Sequence, residues 1–397
     1  MEKNKHKFSI IPKYSEYLYP SSAQFEDDKG DIVYFGQDNK FPQLLIDLYH
    51  KSSVHATAVN AKHQAVVGQG LTGDDEVLLE IANSEGETWN DIYSKLALDR
   101  VVYGGYALEV IWSQDRTRIA EVYHVDFSYA RAKKMDDRGN IPGYYIYRDW
   151  GKTRGIVPHK DNLPYLPKFS RRDRTEPSQL IYFKPYTTGL DYYPLPDYMG
   201  ALKTIELDTE VDNFHVNNLK NGLAPSLAIT TFTDANEEER GEIERQLRDA
   251  YSGTDNAGSL MYMDVADREQ MPEITPIPQN GADGYYNVVN EMTTQKILTG
   301  HRITSPMLVG IKTEGQLGGR AELLDAYSHF LTTVIYPMQS DILKTFEMIF
   351  SVNGIDTTLG VQQIKLFGDG EEEIDVVTSV EAEAGADIEL EEKIEGK

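Results

Sequence analysis

Gly68-Gln69-Gly70-Leu71-Thr72-Gly73 is a literal G-x-G-x-x-G. That spacing can let backbone amides cradle a pyrophosphate, provided it follows a strand and opens a helix. Here it follows a helical pattern, and Asp74, Asp75 and Glu76 put negative charge where phosphate would sit. A helix stop and turn is the expected structure, and a nucleotide-binding enzyme remains an alternative. Gly151-Lys152-Thr153 imitates the end of a phosphate-binding loop, but Ile146 stands where the first glycine belongs. The nine histidines form no His-x3-His pair and no zincin motif, and no G-x-S-x-G elbow occurs. His301 and His329 read as single packed or solvated histidines. Acidic pairs are too plentiful to single out a general acid and base. The absence of cysteine removes disulfides, thiolate catalysis and cysteine-ligated zinc. These residues predict no enzyme, no metal site and no cofactor.

Charge narrows the class further. The chain of 397 residues carries a net −25, of which Asp369–Lys397 supplies −10 and the rest −15. A protein that clasps nucleic acid carries a basic face. This one repels DNA on average, which still allows an acidic-walled conduit through which a duplex slides with its counterions. Solubility alone is the plainer reading of the same charge. Residues 131–174 run against the trend, with twelve Lys and Arg against five Asp, and fit an acidic neighbour or a solvated hairpin. No apolar run approaches the ~18 residues of a membrane span, and Met1–Ser15 is polar and basic, so no membrane association is expected. The length predicts two to three domains, and 40% hydrophobic content suits a soluble protein.

The chain is organised around Tyr192–Gly222. Pro194, Pro196 and Asp197 precede a stretch free of Pro and Gly from Ala201 to Asn221, and Asn221-Gly222 supplies a left-handed stop. A helix from Asp197 to Asn221 would be ~37 Å long. At helical spacing Tyr198, Leu202, Ile205, Val216 and Leu219 make one apolar stripe. Leu207, Val211 and Phe214 make a second on roughly the opposite side. Glu206, Glu210, Asn213 and Asn217 run between them. A helix apolar on two sides and polar on a third suits a stave in a ring around water, with a helix buried in one large domain as the alternative.

The order PLPDY, long helix, then Asn221, Gly222, Pro225, Ser226 and Ile229 resembles the portal proteins of tailed bacteriophages. A second block does so too: KILTGHRITSPMLVGI from Lys296 to Ile311, then GQLGGRAELLDAYSHFLTTVIYPMQ from Gly315 to Gln339. The two blocks cover about a third of the chain. The N-terminal half matches only in general character, and the acidic tail does not match.

Periodicity supplies the other elements. Phe41–Gly68 reads as helical, Thr88–Val102 as a helix, and Tyr106–Trp112, Ile119–Tyr129 and Ile141–Arg148 as strands. Pro225–Thr231 and Ser259–Val265 read as strands around a helix at Asn236–Tyr251. Tyr285–Thr299 is a second long helix, and Arg302–Gly319 is a loop opened by Pro306 and four glycines. Arg320–Phe350 is helical, with a kink expected near Thr333–Tyr336 because Pro337 removes a backbone donor. Val361–Phe367 is a candidate strand, and Asp387–Lys393 a candidate short helix in the acidic tail.

The resemblance implies an α+β portal-like fold assembled as a ring. Its parts would be an N-terminal arm and mixed α/β wing (1–196), a first stem helix (197–222), a small α/β clip (223–282) and a second stem helix (283–301). A tunnel loop (302–319), a kinked helix with a wing or crown return (320–368) and an acidic tail (369–397) would complete it. It implies a channel at one capsid vertex of the virion, built in the host cytoplasm from an expected twelve subunits, through which double-stranded DNA is packaged and ejected. The implied partners are the large terminase subunit, major capsid and scaffolding proteins and a head–tail adaptor. On this reading Lys312, Gln316 and Arg320 meet DNA, and Glu206, Glu210, Asn213 and Asn217 line the channel wall. Leu202, Ile205, Leu207, Val211, Phe214, Val216 and Leu219 pack subunits. An acidic neck adaptor without a DNA channel is the competing reading.

Overall fold

A computed structural model describes residues 31–73, 81–150, 160–221, 227–231, 241–243, 245, 260–264, 282–311, 320–364 and 377–378. The chain divides into two compact units, Met1–Gly200 with Leu298–Lys397, and Ala201–Ile297.

The first unit opens with helices α1 (Phe41–Lys51) and α2 (Ser53–Val67). The single helix expected over 41–68 is broken because Ser52 is extended, at φ −88° and ψ 118°. Its hydroxyl then accepts from the His55 amide at 3.1 Å, capping α2. Helix α3 (Trp89–Tyr103) begins on a reciprocal cap: Thr88 Oγ1 accepts from the Asp91 amide, and Asp91 accepts from the Thr88 amide at 2.8 Å. Against α2 and α3 packs α7 (Tyr336–Val352), the last long helix. Trp89 meets Phe350 and Phe346 edge-on at 4.6 and 5.2 Å, and Val59, Ile92, Leu96, Ile342 and Phe346 are fully buried. Each such side chain contributes about 1.5–3 kcal/mol of apolar burial.

Strands β2 (Tyr106–Trp112), β3 (Ile119–Val125) and β7 (Ser178–Phe183) form an antiparallel sheet in the order β3-β2-β7. The strand expected to reach Tyr129 ends at Val125, where Asp126 accepts from the Ser128 amide and starts a 3-10 turn over Phe127–Tyr129. A second sheet pairs β4 (Ala130–Ala132), β5 (Gly143–Ile146) and β6 (Tyr165–Pro167). On β4, fully buried Arg131 satisfies its guanidinium without a carboxylate among the described residues. It donates to Asn39 Oδ1, the carbonyls of Ser128, Ala130 and Asn39, and Gln43 Oε1.

The third sheet is small: β1 (Leu71–Thr72), β10 (Gly360–Val361) and β11 (Val377–Thr378), ordered β1-β10-β11. Its β10 is shorter than the strand expected over 361–367. Helix α6 (Arg320–Phe330) passes through a π-helical run, Leu331–Ile335, into α7. The irregularity expected ahead of Pro337 is therefore a change of helical register.

The second unit holds α4 (Leu202–Asn221), strands β8 (Leu227–Thr231) and β9 (Leu260–Asp264), and most of α5 (Ala282–Gly300). Strands β8 and β9 pair in parallel, from Leu227 opposite Leu260 to Thr231 opposite Asp264. Parallel pairing demands a crossover, and of the helix expected there only residues 241–243 and 245 are described, all helical. The extreme N-terminus, residues 312–319 and nearly all of the acidic tail lie outside the described residues.

Candidate functional site

The glycine motif folds as a turn, and the amides of Gly68, Gln69, Gly70 and Leu71 are consumed by the chain itself. Gln69 N donates to Gln362 O at 2.7 Å, Gly70 N to Val67 O at 3.2 Å, and Leu71 N to Asn90 Oδ1 at 2.8 Å. Gly68 has φ +59°, and a Cβ there would lie 2.3 Å from Gln362 O. Glycine is required for close approach to residues 361–362, and these amides are not presented as a phosphate cradle. Among the described residues, no group of three or more His, Asp or Glu is placed to hold a metal ion.

The chemistry-bearing side chains gather where the chain leaves the first unit at Gly200 and re-enters it at Leu298. A 3-10 turn over Asp197–Ala201 precedes α4. Asp197 does more than favour a helix dipole. Its carboxylate receives Lys62 Nζ at 3.3 Å, with Arg100 Nη1 at 3.9 Å, and Arg100 Nε reaches Asp341 Oδ2 at 3.1 Å. Lys62 is fully buried. Burial alone would raise the Asp197 pKa, but Lys62, Arg100 and Arg302 together hold it below the usual carboxylate range. Burial lowers the Lys62 pKa and raises that of Asp341.

Beside this network Tyr198 lies against two imidazoles, with ring centroids 4.6 Å from His55 and 4.7 Å from His301. The two histidines share one hydrogen bond, His55 Nδ1 to His301 Nε2, at 2.8 Å. Burial and then Lys62 push His55 down to about 3, and burial, Lys62 and His55 push His301 well below its ordinary value. Both rings are neutral at physiological pH. The Tyr198 hydroxyl donates to Val102 O at 2.6 Å, tying the turn to α3. Gly104, which ends α3 at φ +82°, passes so close beneath the segment that a Cβ would sit 2.3 Å from Leu195 O.

Along α4, Leu202 and Ile205 are 1% and 0% exposed, and Leu207 and Val216 are each 46% exposed. Leu202 and Ile205 are already covered within a single chain, which removes them from any surface left for a neighbour. Val211 is half-buried, Glu206 is half-buried, and Glu210 and Asn213 are exposed. The side chains of Phe214, Asn217 and Leu219 lie outside the described residues. On α5, Val288 and Met292 are 54% and 49% exposed, while Ile297 and Leu298 are buried. Both long helices thus carry large apolar side chains in water.

Helix α5 ends in a Schellman motif. Ile303 N donates to Leu298 O at 3.0 Å and Arg302 N to Thr299 O at 2.9 Å. Arg302 occupies the left-handed position, φ +59°, where glycine is usual. Its Nη2 donates to Thr333 O at 2.9 Å, inside the π-helical run. Ser305 then caps a 3-10 turn over Pro306–Val309 that stops at Gly310. Arg320, exposed, starts α6; Lys312 and Gln316 lie outside the described residues.

A family model described as "Phage portal protein" matches residues 74–384. The chain belongs to the phage portal protein family. A relative called "Probable portal protein" in Haemophilus phage HP1 (strain HP1c1) is 25% identical over 224 residues. That alignment covers 52% of this chain and 64% of the relative, so the chain spans less than two thirds of its length. Among solved structures, a chain from the neck of an empty gene transfer agent particle, computed with C6 symmetry, superposes with a TM-score of 0.55. It is 15% identical, with 83% of this chain and 85% of that chain covered. A chain from the neck of the native particle, computed with C12 symmetry, gives 0.53 at 14% identity over 93% and 92%. These likenesses establish a shared α+β portal-type fold. Among the described residues, no helix is long and apolar enough to cross a membrane.

Arg302, Lys62, Arg100, His55 and Asp341 were not legible as site residues. Pro337 was the one available signal: a proline inside a helix leaves the carbonyl four residues earlier without its amide, and Thr333 is that residue.

Proposed function

We propose that this chain is a portal subunit that assembles into a ring, of twelve copies in the virion, around a channel for double-stranded DNA at one vertex of a phage head. The observation that carries this is the exposed apolar set on α4 and α5, Leu207, Val216, Val288 and Met292, in a member of the portal family. Large side chains left in water on two long helices are what a neighbouring copy would cover. The C12 and C6 symmetries given for the gene transfer agent necks support a closed ring.

In this reading residues 1–196 make the arm and wing, 197–222 and 283–301 the stem, and 223–282 the clip. The tunnel loop is 302–319, the kinked helix and wing or crown return 320–368, and the acidic tail 369–397. Glu206 and Glu210, with Asn213 and Asn217, face the channel, where repeated carboxylates repel the phosphate backbone and leave its counterions in place. Lys312 and Arg320 supply positive charge at the loop, and Gln316 an uncharged phosphate contact. Leu207, Val211, Phe214, Val216 and Leu219 pack against the next copy. The chain acts as a structural conduit, not a catalyst. The terminase drives DNA through it, capsid and scaffolding proteins seat it in the virion, and a head–tail adaptor later takes the exposed end.

The test is the paired substitution Leu207→Glu and Val288→Glu, followed by native mass. The proposal expects rings from the parent and monomers from the variant, with the circular dichroism of the subunit unchanged. Rings of equal size from both would refute the assignment of these helices to the subunit contact.

A further inference from the structure

We infer that Arg302 is a positioning residue whose guanidinium replaces the amide that Pro337 lacks, fixing the π-helical register of residues 331–335. Four carbonyls around this run receive side-chain donors. Thr304 Oγ1 donates to Ala326 O at 2.8 Å and Thr332 Oγ1 to Ser328 O at 2.9 Å. Thr333 Oγ1 donates to His329 O at 2.8 Å and Arg302 Nη2 to Thr333 O at 2.9 Å. Within the run, Tyr336 N donates to Leu331 O, the five-residue step of a π-helix. Shifting to that step changes which carbonyls find amides, and the hydroxyls of Thr332 and Thr333 each bond back to the carbonyl four residues earlier. The Thr333 carbonyl is a separate case: at the four-residue step that α7 resumes from Tyr336, its partner would be Pro337, which has no N–H to offer.

The donor comes at a conformational cost. Glycine or asparagine ordinarily takes the left-handed place after a helix, whereas here an arginine takes it, at φ +59°. That backbone angle sends the chain from α5 back past the π-helical run. Thr304, two residues later, makes a second stitch to α6. The clasp therefore joins the two chain segments that flank residues 312–319. The consequence for DNA passage rests on the channel reading; the clasp itself does not.

A double-substitution cycle separates the two. Arg302→Gly relieves the left-handed strain in any background, so that part cancels between the parent and Pro337→Ala proteins. The alanine restores the missing N–H. The melting shift caused by Arg302→Gly should then be about 2–4 °C more negative in the parent background than in the Pro337→Ala background. Amide exchange over residues 331–336 should quicken about tenfold in Arg302→Gly alone. Equal shifts in both backgrounds, or unchanged exchange, overturn the clasp. In phage complementation, Arg302→Gly should reduce packaged genomes per head, and Pro337→Ala in the same chain should restore them. Loss of packaging without rescue, while the exchange result holds, would overturn the positioning role and leave the clasp as structure only.

Discussion

Asp197→Asn removes the only carboxylate within 4 Å of Lys62 among the described residues, and Lys62 is fully buried. Breaking a buried ion pair by deleting one member typically costs about 3–5 kcal/mol, because the survivor stays charged in a poor solvent. Asp197 keeps 24% of its side chain exposed, so water screens part of the loss and about 2–4 kcal/mol is expected. The second variant, Lys62→Met, leaves Asp197 with Arg100, whose Nη1 lies 3.9 Å away, and should cost less. The double variant should recover most of the loss, since an apolar stem of similar volume replaces the stranded cation. Thermal unfolding of the four proteins, fitted as a cycle, measures the coupling. The Asp197 pKa is depressed in the folded chain, so its stabilisation is present above about pH 4 and lost as pH falls through the folded value. The stability gap between parent and Asp197→Asn should therefore close in acid. A loss under about 0.5 kcal/mol at neutral pH, or a double variant worse than either single, would refute this account of the junction.

Asp99 runs the other way. Burial raises its pKa to about 6 despite the His124 Nε2 contact at 2.8 Å, so its contribution is fully present below about pH 4 and lost as pH rises through 6. Relative to Asp99→Asn, the parent should lose up to about 2–3 kcal/mol between pH 4 and 7; a pH-independent difference in melting would contradict this. Gly104→Ala combines a left-handed backbone with a Cβ 2.3 Å from Leu195 O and should cost about 1–3 kcal/mol or more, read as a drop in denaturant midpoint. Arg131→Met strands the acceptors that its guanidinium satisfies and should cost about 1–3 kcal/mol for each acceptor left unsatisfied; a soluble chain of parental stability would show that the cluster is dispensable.

Local signals reached far into the first unit because they are short-range. The apolar period of α3, the alternation of β2 and the proline at 337 each act through neighbours in sequence. Ser52 shows the limit: the apolar pattern runs continuously from Leu44 to Ala65, and a single extended residue breaks the helix without disturbing the period. The stripes on α4 were legible as stripes, but which of them one chain already covers was not. Leu202 and Leu207 are both leucines on one helix, 1% and 46% exposed, and only tertiary packing separates them. The Lys62–Asp197 and His55–His301 pairs join residues 135 and 246 positions apart, beyond the reach of any local pattern. Lys312 and Gln316 remain where the resemblance put them, as proposals.

The most direct test of the channel is the native mass of the purified chain, taken with images of the same sample. The account predicts a closed ring near twelve times the 44.9 kDa subunit, with a central hole wide enough for a duplex. A monomer that persists across salt and concentration would contradict it.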